Sequence, residues 1–143
     1  MVTTPEKILY TATVHVTGGR SGRATSDDGV LDVALAAPKE TGGPGGATNP
    51  EQLFAAGYAA CYQSALGAVG RREKVDTSAS EVTAQVGFGP VGHAYGLDVT
   101  LTVRIPGVDA EQAQRLADLA HEVCPYSNAT RGNIPVTLEV ETA

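Results

Sequence analysis

The alternation of apolar and polar residues divides this chain into strands and two helices. Ile8, Tyr10, Ala12, Val14 and Val16 recur at every second position, which predicts a strand broken by Gly18-Gly19. Arg20 to Ser26 reads as a weaker strand. Asp27-Asp28-Gly29 is a turn signal, and Leu31, Val33 and Leu35 alternate behind it, so the chain opens as a meander. Val82, Ala84, Val86 and Phe88, then Tyr95, Leu97, Val99, Leu101, Val103 and Ile105, predict a second hairpin around Gly89-Pro90-Val91-Gly92. Val136, Leu138 and Val140 put one face on a last strand.

Two stretches have helical spacing instead. Asn49 can cap the first, Pro50 suits its first position, and Glu51 favours its positive end. Leu53, Gly57, Ala60, Cys61, Ser64, Ala65 and Ala68 follow, and Arg71-Arg72 close the helix at its negative end. Its Ala- and Gly-rich body lets another backbone approach, which predicts a central helix buried on most sides against another helix. Asp109 opens the second helix, with Gln112 three residues on as a capping box. Ala113, Leu116, Ala117, Ala120, Val123 and Cys124 form its apolar stripe, and Pro125 should end it. Ala36 to Thr48 is a Gly- and Pro-rich loop, long for a compact domain and therefore mobile or functional. Strands cluster rather than alternate with helices, so the order βββ-α-ββ-α-β indicates an α+β fold with antiparallel sheet.

Length adds that the 143 residues make one domain, 1–143. With 42% hydrophobic and 18% charged residues, a disordered acidic chain is excluded. A net charge of −6 argues against nucleic acid and anionic membranes as partners. Two cysteines, Cys61 and Cys124, exclude a disulfide-rich scaffold. The N-terminus lacks the pattern of a signal peptide, and no apolar run reaches the ~18 residues of a membrane span. The expected setting is a reducing cytoplasm, with both thiols reduced at rest or cycling on purpose.

Gly87-Phe88-Gly89-Pro90-Val91-Gly92 matches GxGxxG, but a strand pattern follows where a nucleotide site needs a helix, so it reads as a hairpin turn. His121 and Cys124 could offer two metal ligands from one helix face, with no second pair of ligand spacing. Each cysteine alone reads as a small core residue. Together they lie on two apolar stripes that should face one core, where helix packing permits a disulfide without ensuring it. The 62 residues between them (124 − 61 − 1) rule out a CxxC motif. A reactive cysteine must become thiolate, and burial raises its pKa. Cys61 is mid-helix, so a cation must help. Arg20, Arg23, Arg71, Arg72, Arg104, Arg115 and Arg131 are available, and composition does not choose among them. For Cys124, the negative end of its helix disfavours a thiolate, whereas a new helix started by Pro125 would favour one; both remain open.

Three blocks carry a family resemblance. Gly18-Gly19-Arg20-Ser21-Gly22, the run Thr48-Asn49-Pro50-Glu51-Gln52-Leu53-Phe54-Ala55-Ala56-Gly57-Tyr58-Ala59-Ala60-Cys61, and Val123-Cys124-Pro125-Tyr126-Ser127-Asn128-Ala129-Thr130-Arg131-Gly132-Asn133 resemble the organic hydroperoxide resistance (Ohr) proteins of the Ohr/OsmC family. The resemblance runs from about Tyr10 to Val140. It implies a thiol-dependent peroxidase that reduces alkyl, aryl and fatty-acid hydroperoxides without metal, haem or other bound cofactor. It assigns Cys61 as the peroxidatic nucleophile, Cys124 as the resolving cysteine, Arg20 as the catalytic arginine and Glu51 as its carboxylate partner. It also implies an intertwined homodimer, with sheets of both chains wrapped around central helices. The reductant it implies is a dithiol, a lipoyl group on a dehydrogenase-complex subunit recharged by lipoamide dehydrogenase. Thioredoxin serves equally on physical grounds.

Leu53, Phe54, Tyr58, Val123 and Tyr126 lie near the two cysteines in sequence and are the expected apolar substrate pocket. Glu51 and Cys61 are 61 − 51 = 10 residues apart on one helix, about 15 Å at ~1.5 Å rise per residue. A two-fold partner running antiparallel would bring its own Glu51 closer, so each site is expected to mix residues of two chains. Competing readings are an OsmC-type peroxidase of broader range, a dimer that binds hydrophobic small molecules with inert cysteines, and a redox sensor without turnover.

Overall fold

The computed structural model describes residues 2–143. The chain divides into two compact units between Leu53 and Phe54. In the first, β1 (Val14–Thr17), β2 (Arg23–Ser26) and β3 (Asp32–Ala34) form an antiparallel meander in chain order. Val16 faces Ala24 across one ladder, and Ala24 faces Val33 across the next. The β1–β2 connection is a single 3-10 turn, Gly19–Ser21, which carries Arg20. Its geometry needs glycine. Gly18 sits at φ 74, and a Cβ on Gly22 would lie 1.6 Å from the Thr17 carbonyl oxygen. At the other end of β2, the Asp28 carboxylate accepts from the Val30 N–H at 3.0 Å and from the Ser26 hydroxyl at 2.6 Å, closing the Asp27-Asp28-Gly29 turn.

The first strand is shorter than its alternation predicts. It begins at Val14, not Ile8, because its partner β2 ends at Ser26, opposite Val14, and the turn then carries the chain away. Residues before Val14 have no ladder to join. Ile8, Leu9 and Tyr10 are 68–85% exposed, and all of β1 is exposed. The Ala36 to Thr48 loop is tied at both ends by a parallel bridge between Leu35 and Thr48.

Helix α1 (Pro50–Glu73) starts in the last residues of the first unit and continues as the first element of the second. Asn49 caps it, its side-chain oxygen accepting from the Gln52 N–H at 2.9 Å. Strands β4 (Glu81–Val91) and β5 (Ala94–Arg104) pair along their whole length, so the GxGxxG segment is the end of β4 and its turn, followed by a strand. Helix α2 (Ala110–Val123) is capped by Asp109, which accepts from the Gln112 N–H at 2.8 Å. A short helix α3 (Pro125–Thr130) follows directly, then β6 (Val136–Glu141). β6 pairs with β5 in parallel, unlike the other ladders. The cause is the helical crossover: two helices return the chain to the end of the sheet from which β5 started.

The core of this unit lies between its sheet and helices. Val99, Leu101, Val103 and Ile105, every second residue of and just beyond β5, are at most 2% exposed. They pack with Tyr62, Leu66 and Val69 of α1 and Leu116 and Ala120 of α2. Burial of each large aliphatic side chain stabilises the fold by about 1.5–3 kcal/mol. α1 is buried on one face only in the single chain, short of the expected burial on most sides. Ala56, Ala60, Ser64 and Ala68, spaced four apart, line its exposed face. Among the described residues no helix is long and apolar enough to cross a membrane.

Candidate active site

The first unit holds Arg20 and Glu51. The glycine turn presents Arg20, and the first turn of α1 presents Glu51. Arg20 Nη1 donates to Glu51 Oε2 at 2.8 Å, and Nη2 donates to Oε1 at 2.7 Å, a two-pronged pair. The bonds from Arg20 hold the Glu51 carboxyl below its ordinary value, against the opposing effect of partial burial. The same bonds raise the Arg20 guanidinium above its own. Both residues therefore stay charged over the whole physiological range.

The second unit holds both cysteines, each a free thiol. Cys61 is half-buried on α1, and Cys124 is fully buried. Cys124 occupies both positions left open by the sequence. Its N–H donates to the Ala120 carbonyl at the end of α2, and its carbonyl accepts from Asn128 at the start of α3, where Pro125 takes the first position. The thiols share one core cluster although 62 residues separate them. Burial pushes the Cys61 thiol above its ordinary pKa, the backbone N–H of Tyr126 pulls it down, and Cys124 pushes it further up.

Three of the five pocket residues expected from the sequence come together. The rings of Phe54, Tyr58 and Tyr126 lie 5.7–6.2 Å apart by centroid. Phe54 and Tyr126 line a largely apolar cavity of about 450 Å³, with Leu97, Ala129, Thr130 and Ile134. Tyr58 is fully buried beneath those rings. Val123 is 42% exposed and does not line the cavity. Leu53 is half-buried in the first turn of α1, its N–H on the Asn49 carbonyl. The Tyr126 ring approaches α1 closely because residue 57 is glycine: a Cβ there would lie 2.8 Å from the Tyr126 hydroxyl.

Sequence reasoning passed over the polar layer below the rings. The Tyr58 hydroxyl bonds Ser127 Oγ at 2.8 Å and Thr130 Oγ1 at 3.1 Å, and Ser127 Oγ bonds His121 Nδ1 at 2.7 Å. Pro125 was the available signal. As the first residue of a helix it places Tyr126, Ala129 and Thr130 on one face and Ser127 a turn beyond Cys124. Among the described residues no group of three or more His, Cys, Asp or Glu side chains has a metal-binding arrangement.

The sequence profile of the OsmC-like protein family matches residues 43–139. An organic hydroperoxide resistance protein of Xanthomonas axonopodis pv. citri (strain 306) is 53% identical over 136 residues, covering 94% of this chain and 96% of that one. Organic hydroperoxide resistance protein OhrA of Bacillus subtilis (strain 168) is 51% identical over 139 residues, covering 92% of this chain and 96% of its own length. The crystal structure of an organic hydroperoxide resistance protein from Elizabethkingia anophelis superposes with a TM-score of 0.91 at 50% identity, covering 96% of this chain and 99% of that one. With this coverage at these identities, the chain belongs to the OsmC/Ohr family.

Proposed function

We propose that this protein is a cysteine-based peroxidase that reduces organic hydroperoxides to alcohols, acting in organic hydroperoxide resistance as its named relatives do. The observation that carries the reading is the packing of both cysteines into one core cluster, beside an apolar cavity lined by Pro125 and Tyr126. The Cys61 thiolate attacks the terminal oxygen of ROOH, the O–O bond breaks, and Cys61 sulfenic acid and RO⁻ form; RO⁻ then takes up a proton. The Cys124 thiol condenses with the sulfenic acid, giving a Cys61–Cys124 disulfide and water before further oxidation. A dithiol, in our reading a lipoyl group carried by a dehydrogenase subunit, reduces the disulfide to two thiols and itself becomes a disulfide.

The proposed role of Arg20 is to stabilise the Cys61 thiolate and the charge that grows on the peroxide oxygens. Glu51 holds Arg20 in place through its two-pronged pair. The cavity, lined by Phe54 and Tyr126, takes the organic part of the substrate and favours it over hydrogen peroxide. No bound metal or cofactor enters this mechanism.

The proposed partner is a second copy of the chain. Two features support it: the exposed small-residue face of α1, and the exposed apolar residues Ile8, Leu9, Tyr10, Val14 and Val16. The Arg20–Glu51 pair of one copy would serve Cys61 of the other, since Glu51 and Cys61 lie ten positions apart on one helix within one chain.

One equivalent of cumene hydroperoxide followed by non-reducing peptide mass spectrometry tests the reading. An intrachain Cys61–Cys124 link, with steady turnover on dihydrolipoamide, supports it. Two unchanged thiols would instead make the protein a binding module for apolar molecules, and a link without turnover by any dithiol would make it a sensor.

A further inference from the structure

The proposed chemistry leaves one requirement unmet by Arg20, Glu51 and the two cysteines. Splitting ROOH at Cys61 releases RO⁻, the anion of a very weak acid, inside an apolar cavity. It needs a proton, and a guanidinium does not give one up.

The structure contains a hydrogen-bonded chain that ends at this cavity. His121 is half-buried near the end of α2, so one end of the chain meets solvent. Its Nδ1 bonds Ser127 Oγ at 2.7 Å, Ser127 Oγ bonds the Tyr58 hydroxyl at 2.8 Å, and Tyr58 bonds Thr130 Oγ1 at 3.1 Å. Thr130 lines the cavity. Ser127 and Tyr58 are completely buried, so no water competes for their hydroxyls. The cavity also reaches the sulfurs' surroundings: Pro125, next to Cys124 in the chain, lines it, as does Phe54, which packs with Cys61 against the same core cluster.

Each of the three hydroxyls has one hydrogen and can both give and receive. The chain can therefore run in either direction. With Nδ1 unprotonated, Ser127 donates to His121 and Tyr58 donates to Ser127. With Nδ1 protonated, His121 donates to Ser127, Ser127 to Tyr58, and Tyr58 to Thr130, whose own hydrogen rests on the Ser127 carbonyl at 3.3 Å and turns from it into the cavity to deliver. Among the described residues no buried side-chain oxygen lacks a partner.

We propose that His121, Ser127, Tyr58 and Thr130 form a relay that delivers the proton taken up by the departing alkoxide. The inference rests on the peroxidase reading above. Thr130 O–H gives its proton to RO⁻, forming ROH, and receives one from Tyr58. Tyr58 is refilled by Ser127, and Ser127 by the His121 imidazolium. Neutral His121 then regains a proton from water. One proton moves from solvent to alkoxide, and no group in the chain changes overall.

The groups around His121 set its supply. Burial and Arg131, which also bonds the His121 carbonyl and reaches it from the end of α3, favour the neutral ring; Asp118 and Glu122 on its own helix oppose them. Delivery consequently weakens as pH rises through a value below the ordinary histidine one.

The test compares peroxides that differ only in their need for a proton. Cumene hydroperoxide expels an alkoxide, whereas peracetic acid expels acetate, which leaves unprotonated. Single-turnover oxidation of reduced wild-type protein is measured with both, alongside His121→Gln and Ser127→Ala. In each variant the ratio of the cumene hydroperoxide rate to the peracetic acid rate should fall on the order of a hundredfold, the scale of a general acid. Equal slowing with both peroxides marks a packing role and overturns the relay, as does no slowing with either. Wild-type protein inert to both peroxides instead overturns the peroxidase reading itself.

Discussion

Both ends of the Arg20 guanidinium grip the Glu51 carboxylate, at 2.8 and 2.7 Å, within one chain. The side chains are 41% and 16% exposed, and an ion pair so close to solvent contributes only about 0–1 kcal/mol to stability. In the proposed mechanism its value lies in fixing where the guanidinium points. Glu51→Gln keeps the size of the side chain and loses the charge. Thermal unfolding should change little. The rate of Cys61 oxidation by cumene hydroperoxide should fall on the order of a hundredfold, the cost of a misplaced catalytic group. Because Arg20 holds the Glu51 carboxyl below its ordinary value, the pair's contribution is complete at neutral pH. It is lost only as pH falls through that depressed value, so an acid limb near neutral pH would not belong to Glu51.

Cys124 is fully buried in the core cluster against which Cys61 packs. In the proposed cycle it has one task, to capture the sulfenic acid. Cys124→Ser should therefore react once with cumene hydroperoxide, as fast as wild type to within a few-fold, and then stop. Excess peroxide should drive Cys61 to sulfinic and sulfonic acids, visible by intact-protein mass spectrometry. Placing a hydroxyl in that apolar position costs about 1–3 kcal/mol, so the variant should fold with a lower melting temperature. Steady turnover by this variant would remove Cys124 from the cycle.

Much of the local structure that carries the candidate residues was legible in the chain because its parts obey local rules. Asn49-Pro50-Glu51 is a helix start by its own chemistry, and the helix it opens fixes the residues that face inward with Cys61. Gly18 and Gly22 mark a turn only glycine can close, which positions Arg20. The parts that were not legible depend on long-range pairing. Ile8 to Val16 alternates like a strand, yet β2 runs out of partners at Ser26, so only Val14 onward is paired. The parallel docking of β6 follows from the crossover through α2 and α3, and no residue of β6 encodes it. The Tyr58–Ser127–His121 network joins α1, α2 and α3 across the core, and no spacing within one helix reveals it.

Gly57 sets the distance between α1 and the Tyr126 ring. A Cβ there would meet the far end of that side chain at 2.8 Å, and the ring is 38% exposed, so it can yield outward. Gly57→Ala also gains about 1 kcal/mol of helix propensity. Stability should change by less than ~1 kcal/mol in either direction. The shifted ring reshapes the cavity wall, so KM for cumene hydroperoxide should rise several-fold, with a smaller effect for the compact tert-butyl hydroperoxide. Equal kinetics for both would separate the cavity from substrate binding.

Burial raises the Cys61 thiol above its ordinary pKa, whereas a peroxidatic cysteine needs its thiolate. In the proposed mechanism Arg20 closes this gap, an effect of about one to three pKa units for a nearby opposite charge. The pH dependence of Cys61 alkylation by iodoacetamide, read by peptide mass spectrometry in wild type and Arg20→Met, measures it. With the arginine removed, the midpoint should lie above the ordinary thiol value, and the wild-type midpoint should lie about one unit or more lower. Stability carries the same sign. Where the folded pKa is raised, the neutral thiol's contribution is complete below the unfolded value and is lost as pH rises through the folded one. Arg20→Met, with the higher folded value, should therefore lose more stability than wild type as pH rises from neutral through the thiol range. Coincident alkylation midpoints in the two proteins would leave the thiolate without its proposed cation.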